Sequence, residues 1–337
     1  MSDTGERFLV TGALGCIGAW TVRALVRRGL PVVAFDVGRD PRRLRLILSP
    51  EEMTRVELVA GDITDLDALS TALERSAITN VIHLAALQVP FCKADPPAGA
   101  RVNVLGTIHV FEAVKRRREM TEMAPVVYAS SIGMYALDDA GPGSGRLRSD
   151  ADAHPRNHYG VFKLANEGSA RVYWLDDGIP SIGLRPMTVY GPGRDQGMTS
   201  GPTKAIVAAV LGRPYTMPFR GPVLYQYAED AAETLVAASR SAGTGAEVYN
   251  LAGPSADERG LVEAIETVIP GARELLRFDD AVLPFPTEID HDGLEGIGPI
   301  LSRPLADGIR ASVDIYRPLA EAGRLDPVEQ GLVPRQA

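Results

Sequence analysis

Apolar positions in the first half of the chain alternate between two patterns. Short continuous runs have the length of buried strands: Phe8-Leu9-Val10, Pro31-Val32-Val33-Ala34-Phe35, Val56-Glu57-Leu58-Val59, Val81-Ile82-His83-Leu84 and Val126-Val127-Tyr128-Ala129. Between them lie segments with apolar residues at helical spacing: Ala19 to Arg28, Leu66 to Arg75 and Ala100 to Arg117. Gly29 stops the first of these, just after basic residues suited to a helix C-terminus. A further helix is predicted from Tyr159 to Leu175, and a strand at Ile182-Gly183-Leu184-Arg185. Strands separated by helices of this length need parallel crossovers. The predicted fold class is therefore α/β, a doubly wound parallel sheet of the Rossmann type.

After Tyr190 the pattern changes. Gly191-Pro192-Gly193 opens a stretch rich in glycine and proline that runs to Pro222, interrupted by a helix from Thr203 to Leu211. Glu229 to Ser239 reads as a helix and Glu247 to Leu251 as a last strand, with helices near Gly260 to Val268 and Pro304 to Tyr316. The expected organisation is a Rossmann domain built from residues 1–190 and 223–253. A smaller, mostly helical substrate domain would come from 191–222 and 254–326, followed by a polar tail, 327–337.

Composition narrows the classes. Apolar residues are 45% of the 337 and charged residues 23%, values that exclude a disordered or fibrous chain. The longest apolar run, Ala205 to Leu211, falls far short of the roughly 20 residues of a membrane helix. The polar start Met1-Ser2-Asp3-Thr4-Gly5-Glu6-Arg7 does not read as a secretory signal, so a soluble, cytoplasmic protein with no membrane association is expected. A net charge of −8 argues against a nucleic-acid-binding face, and the run Lys115-Arg116-Arg117-Arg118 fits a solvated helix C-terminus. Cys16 and Cys92 are the only cysteines, and the five histidines form no ligand cluster, so no metal is assigned.

Two local arrangements carry chemistry. Thr11-Gly12-Ala13-Leu14-Gly15-Cys16-Ile17-Gly18 joins the first strand to the first helix. Its glycines permit a tight turn and let backbone N–H groups approach a pyrophosphate at a helix N-terminus. Asp36 ends the second strand, where a carboxylate accepts hydrogen bonds from ribose hydroxyls and repels a 2′-phosphate. That favours NAD over NADP, although Arg39, Arg42 and Arg43 lie just beyond and leave NADP open. Tyr159 and Lys163 are four apart, so phenol and ammonium share one helical face. A phenol with a pKa of about 10 needs lowering by roughly 3 units, about 4 kcal/mol, to serve as a base near neutrality. A neighbouring cation acts in that direction. Ser130-Ser131 follows the strand Val126 to Ala129, at the carboxyl end where such sheets place ligands.

The TGxxGxxG turn, Asp36, Gly61-Asp62, His83-Leu84-Ala85-Ala86, Asn103 to Thr107, Ser130-Ser131, Tyr159-x-x-x-Lys163 and Leu184-Arg185-Pro186 through Gly193 occur in one order. In that order they resemble the extended short-chain dehydrogenase/reductases, the NAD-dependent epimerase/dehydratase family. The resemblance runs from about residue 7 to 252. It implies a phosphate loop of Gly12, Gly15, Cys16, Ile17 and Gly18, with Asp36 on the adenosine ribose and Asp62 and Ile63 beside the adenine. Leu84, Ala85, Ala86 and Pro186 would line the cofactor path, with Asn103 in a packing or water-relay role. Ser131 is implied as the catalytic hydroxyl, with Ser130 the alternative, Tyr159 as acid/base, and Lys163 as its pKa modulator and ribose ligand. Gln88, Ser131, Ile132, Tyr159 and Met187 would face a small-molecule substrate, and a homodimer is implied. His83 and Tyr190 are equally compatible with core roles.

The chain also departs from that pattern. Ile132-Gly133 follows Ser131 where 4,6-dehydratases carry Asp-Glu, which argues against water elimination. Val223 and Leu224 stand where many nucleotide-sugar epimerases carry an arginine and an aspartate. Arg213, Arg220 or Arg303 would have to replace the missing phosphate cation; otherwise an uncharged or singly charged substrate is indicated. The reading on residues alone is therefore an NAD-dependent dehydrogenase or reductase acting on a secondary alcohol or ketone of a sugar or sugar acid. The alternative is an epimerase that keeps its cofactor. An NAD-sensing regulator has no need of Ser131, Tyr159 and Lys163 together.

Overall fold

The protein is described by a computed structural model covering residues 5–135, 146–148, 151–283 and 286–333. The first four residues and the last four of the expected tail lie outside these.

Seven parallel strands form the central sheet, in the order Ala246–Asn250, Ser181–Arg185, Val126–Ala129, Asn80–His83, Phe8–Thr11, Val32–Asp36 and Val56–Ala60. The inner strands are buried on both faces, which explains their unbroken apolar runs. Side-chain alternation divides them cleanly: Phe8, Val10, Val32, Ala34 and Ile82 join the core on one face, and Leu9, Val33, Phe35 and Val81 the core on the other. The strand order reverses direction between Phe8–Thr11 and Asn80–His83. At such a switch point the connections leave to opposite faces and open a crevice at the carboxyl ends.

The first helix, Cys16–Arg27, starts three residues earlier than the apolar spacing predicts, because extended Gly15 caps it directly after the turn. It packs against the helix Ala228–Ala238, with Arg23 paired to Glu229 and Arg28 to Glu233. Its Trp20 indole donates to the Pro192 carbonyl at 2.9 Å. The helix predicted from Ala100 to Arg117 is broken into Pro96–Ala100, a π-helical turn Arg101–Leu105, and Gly106–Arg118. The wide turn brings Asn103 under the loop after the fourth strand. There its carboxamide takes the Leu87 N–H at 2.7 Å and donates to the Leu87 carbonyl at 2.9 Å. The long helix His158–Asp177 is capped by the Asn157 side chain on the Gly160 N–H and ends at left-handed Gly178.

Beyond residue 187 the structure holds more short strands than the glycine- and proline-rich sequence predicts. Thr188–Tyr190 pairs in parallel with Val223–Tyr227, which pairs antiparallel with Ser255–Ala256. Tyr215–Met217 pairs with Leu276–Phe278. Strands of two to five residues are too short to show a period, so only their neighbours define them. Ala246–Asn250 returns to the edge of the large sheet beside Ser181–Arg185. Among the described residues no helix is long and apolar enough to cross a membrane.

The glycine turn is a close backbone-to-backbone approach. A Cβ on Gly18 would lie 2.2 Å from the Gly12 carbonyl oxygen and 2.8 Å from Ala13 Cα, and one on Gly12 would lie 2.6 Å from the Ala85 nitrogen. All of these neighbours are backbone and cannot rotate away. Gly18→Ala should therefore destabilise the apo-protein by about 3 kcal/mol, the upper range for overpacking. Urea unfolding checks this; an unchanged midpoint would show that the turn can yield.

Candidate active site

A cavity of about 550 Å³ opens at the switch point. Gly12, Gly15, Cys16, Ile17 and Gly18 line it at the start of the first helix, where the N-terminal amides and helix dipole favour an anion. Asp36 faces the same space. Its Oδ2 accepts the Leu14 N–H at 2.9 Å and its Oδ1 the Gly38 N–H at 2.8 Å, so the carboxylate is fixed before any ribose arrives. Asp62, Ile63, Leu84, Ala85, Ala86, Lys163 and Pro186 line the rest. Asn103 does not; its contacts with Leu87 and the Cys92 thiol make it a support of the lining loop. Of the three arginines that leave NADP open in the sequence, Arg42 and Arg43 both pair with Asp195, at 2.7 and 2.6 Å, while Arg39 lines the cavity. Glycine turn, fixed carboxylate and apolar adenine wall together fit NAD.

At the far end of this crevice stand the reactive groups. The Ser131 and Tyr159 side chains face the same cavity beside Gly133, and Ser131 Oγ accepts the Gly133 N–H at 3.0 Å. Gly160 lets the helix press on this turn, since a Cβ there would lie 2.2 Å from the Gly133 oxygen. Lys163 Nζ lies 5.5 Å from the centre of the Tyr159 ring and donates to the Ala129 carbonyl at 2.6 Å. Ser130 turns the other way: its hydroxyl donates to Glu167 at 2.5 Å. Glu167 in turn grips Arg185 through two contacts of 2.8 and 2.7 Å, and Arg185 reaches the Tyr135 hydroxyl at 2.5 Å.

Burial raises the Tyr159 phenol above its ordinary value, while the Ser131 hydrogen bond and the Arg194 charge pull it down. Burial drives the Lys163 ammonium down to about 8, and the Glu167 carboxylate opposes this. His83 is pushed down to about 3, first by burial and then by the Lys163 charge. It is a neutral imidazole bridging the Thr11 and Thr107 hydroxyls at 2.7 and 3.0 Å, which gives it a core role. Tyr190 is likewise fully buried, packed among Tyr225 and Tyr227.

A second cavity, of about 390 Å³, meets the first at Tyr159. Gln88, Ser131, Ile132 and Met187 line it, and its only charged lining groups among the described residues are Arg156 and Arg194. Arg194 lines both cavities, with its Nη2 3.2 Å from the Thr199 hydroxyl. Sequence reasoning missed it because it sits in an aperiodic, glycine-rich loop. The three arginines offered as replacements lie elsewhere. Arg220 pairs with Asp280, Arg303 with Glu229 and Asp230, and Arg213 is exposed just after the helix Gly201–Val210. None of the three lines either cavity. Val223 and Leu224 are buried in their strand and line neither cavity.

A Rossmann sheet with a dinucleotide crevice meeting a second cavity at a Ser-Tyr-Lys group defines a class of nucleotide-dependent enzyme. The NAD dependent epimerase/dehydratase family matches residues 8–252, and the chain belongs to that family; its cofactor is NAD. Over 192 residues it is 34% identical to UDP-glucuronate 4-epimerase 2 of Arabidopsis thaliana, covering 56% of this chain and 43% of that protein. The matched stretch thus spans less than half of that relative. UDP-glucose 4-epimerase of Mycolicibacterium smegmatis is 31% identical over 244 residues, covering 71% of this chain and 75% of that one. The structure of UDP-glucuronic acid 4-epimerase from Bacillus cereus, in complex with UDP-glucuronic acid and NAD, superposes with a TM-score of 0.75 at 26% identity. That superposition covers 93% of this chain and 99% of the other.

With Asp36 fixed in place and Arg42 and Arg43 engaged by Asp195, NAD(H) should bind at least tenfold more tightly than NADP(H), about 1.4 kcal/mol. Calorimetric titration of the apo-protein with each cofactor measures the ratio. Asp36→Asn should shrink it, and equal affinities for the unaltered protein would remove the role given to Asp36.

Proposed function

We propose that this protein is an NAD-dependent 4-epimerase of an anionic sugar of the UDP-sugar class, a UDP-uronate foremost. The observation that carries the reading is the junction of the two cavities. Tyr159 sits where they meet, with Ser131 on the substrate side, and among the described residues the charged groups lining that side are Arg156 and Arg194. In a chain of net charge −8, such a cavity selects for an anion. The names of the relatives and of the superposed structure favour epimerisation over the net oxidation expected from residues alone. Arg194 takes the place of the cation missing at Val223.

Held along the crevice by Gly12, Gly15, Gly18 and Asp36, NAD would supply a reversible hydride acceptor for the sugar C4. Tyr159 takes the proton of the C4 hydroxyl as that hydride departs, and Ser131 hydrogen-bonds the same oxygen as it becomes a carbonyl. The sugar then presents its other face, and Tyr159 gives the proton back as the carbonyl is reduced. Substrate and product differ only at C4, so protons and electrons balance within one turnover. Arg194 supports the step twice: its charge draws the substrate anion, and the same charge lowers the Tyr159 phenol against its burial.

The test is a panel of UDP-glucuronate, UDP-glucose, free uronic acids and simple alcohols, followed by chromatography for the 4-epimer and by absorbance for NADH. Isomer exchange without accumulating NADH is expected; stoichiometric NADH without exchange would make the protein a dehydrogenase. Tyr159→Phe should lower turnover at least 100-fold while leaving NAD content intact, as loss of acid–base catalysis requires. Arg194→Ala should raise KM for the anionic sugar at least tenfold. It should also move the alkaline-going rise of activity to higher pH, because a phenol without that cation ionises later.

A further inference from the structure

The loop after the strand Thr188–Tyr190 is tied to the far rim of the cofactor crevice through one carboxylate. Asp195 is only 5% exposed, and its two oxygens receive Arg42 Nη2 at 2.7 Å and Arg43 Nη2 at 2.6 Å. Arg43 donates its other terminal nitrogen to the Leu14 carbonyl at 2.9 Å, inside the glycine turn. Loop and arginines therefore share one anchor with the phosphate-binding segment. Next to Asp195, the Pro192 carbonyl accepts the Trp20 indole, and a Cβ on Gly193 would rest 3.5 Å from Arg43 Cδ.

The sides of this bridge differ. Arg194 and Gln196, flanking Asp195, line the cofactor crevice, and so do Arg42 and Arg43 from the opposite rim. Asp195 itself lies on the outer side, in a separate cleft shared with Glu329 and Gln330. The ion pairs thus join two walls of one crevice between the adenosine end, at Asp36, and the reactive end, at Tyr159. A dinucleotide that reaches from one end to the other passes beside the bridge.

We infer that Asp195, held by Arg42 and Arg43, is a clasp that retains NAD in the crevice between catalytic cycles. This goes beyond the epimerase reading and stands without it, since retention is a property of the bound cofactor. Two partly buried arginine contacts to one buried carboxylate make the closed form stable; removing the carboxylate leaves two guanidinium groups facing each other and drives the walls apart. The freed guanidiniums lie beside Asp36, where a 2′-phosphate would sit.

The experiment compares the holoprotein with Asp195→Asn and, separately, Arg42→Gln, which keeps the Arg43 arm. Bound cofactor is measured after gel filtration, and NADH dissociation by fluorescence on displacement with excess NAD. The clasp requires NADH to leave at least tenfold faster from Asp195→Asn and several-fold faster from Arg42→Gln. Asp195→Asn should also shift the NADP-to-NAD affinity ratio toward NADP, a change that general loosening does not produce. If Asp195→Asn fails to fold, Arg42→Gln decides: dissociation at the unaltered rate in a folded Arg42→Gln protein overturns the clasp. Unaltered dissociation from folded Asp195→Asn does so too. Net NADH release by Asp195→Asn on a substrate that the unaltered protein only epimerises would join the two readings. An unaltered protein that loses its NAD on gel filtration yet still exchanges isomers would sink the clasp alone.

Discussion

Three consecutive residues at the end of one strand are each held by a different turn of one helix, and the site depends on this stitching. Lys163 takes the carbonyl of Ala129, Glu167 takes the hydroxyl of Ser130, and Tyr159 stands beside the hydroxyl of Ser131. Residues 159, 163 and 167 recur every four positions, so a single helical stripe supplies phenol, ammonium and carboxylate to one line of backbone. Strand residues alternate in direction, which is why the two adjacent serines part. Ser131 enters the site, and Ser130 joins the support beneath it. A helix displaced by one residue would lose all three contacts together.

The support is costly, and its position explains why it is tolerated. Glu167 and Arg185 are almost fully buried, a placement worth little for stability unless every donor and acceptor is met. Here Glu167 receives Ser130 and two nitrogens of Arg185, whose third nitrogen reaches Tyr135. The pair clamps the segment from Ser130 to Tyr135 at both ends. It also places a carboxylate near Lys163, countering the burial that drives the ammonium toward about 8. Fixed geometry in a dry site is what electrostatic catalysis needs, because no reorganisation is left for the moment of reaction.

The sheet and the glycine turn were legible because their physics is local. Val126–Ala129 and Leu66–Arg75 match the predicted bounds, since apolar runs and helical stripes report burial directly. The Tyr159–Lys163 spacing was legible for the same reason. The π-helical turn at Arg101–Leu105 was not: its one extra residue is stabilised by Asn103 on a loop that only the fold brings near. Nor were Arg194 and Asp195 legible. Asp195 meets Arg42 across 153 residues of sequence, and the loop carrying it turns on left-handed Gly191, Gly193 and Gly197, a geometry with no period to read. Arg213, Arg220 and Arg303 looked equally suitable in the sequence, and their partners or exposure take them out of the cavities.

That loop explains how the chain can lack the arginine at Val223 and still present a cationic substrate cavity. Moving the cation from a strand to a glycine-hinged loop places it beside Tyr159, where in the proposed reaction one charge would serve both substrate attraction and the ionisation of the base. A cation on so flexible a backbone would wander unless the loop were pinned from outside. Asp195, the next residue, provides the pin, anchored by Arg42 and Arg43 to the segment that cradles phosphate. The same anchorage occupies the two guanidiniums that would otherwise welcome a 2′-phosphate beside Asp36. Choice of cofactor and placement of the substrate cation therefore rest on one carboxylate, and a substitution there would change both together.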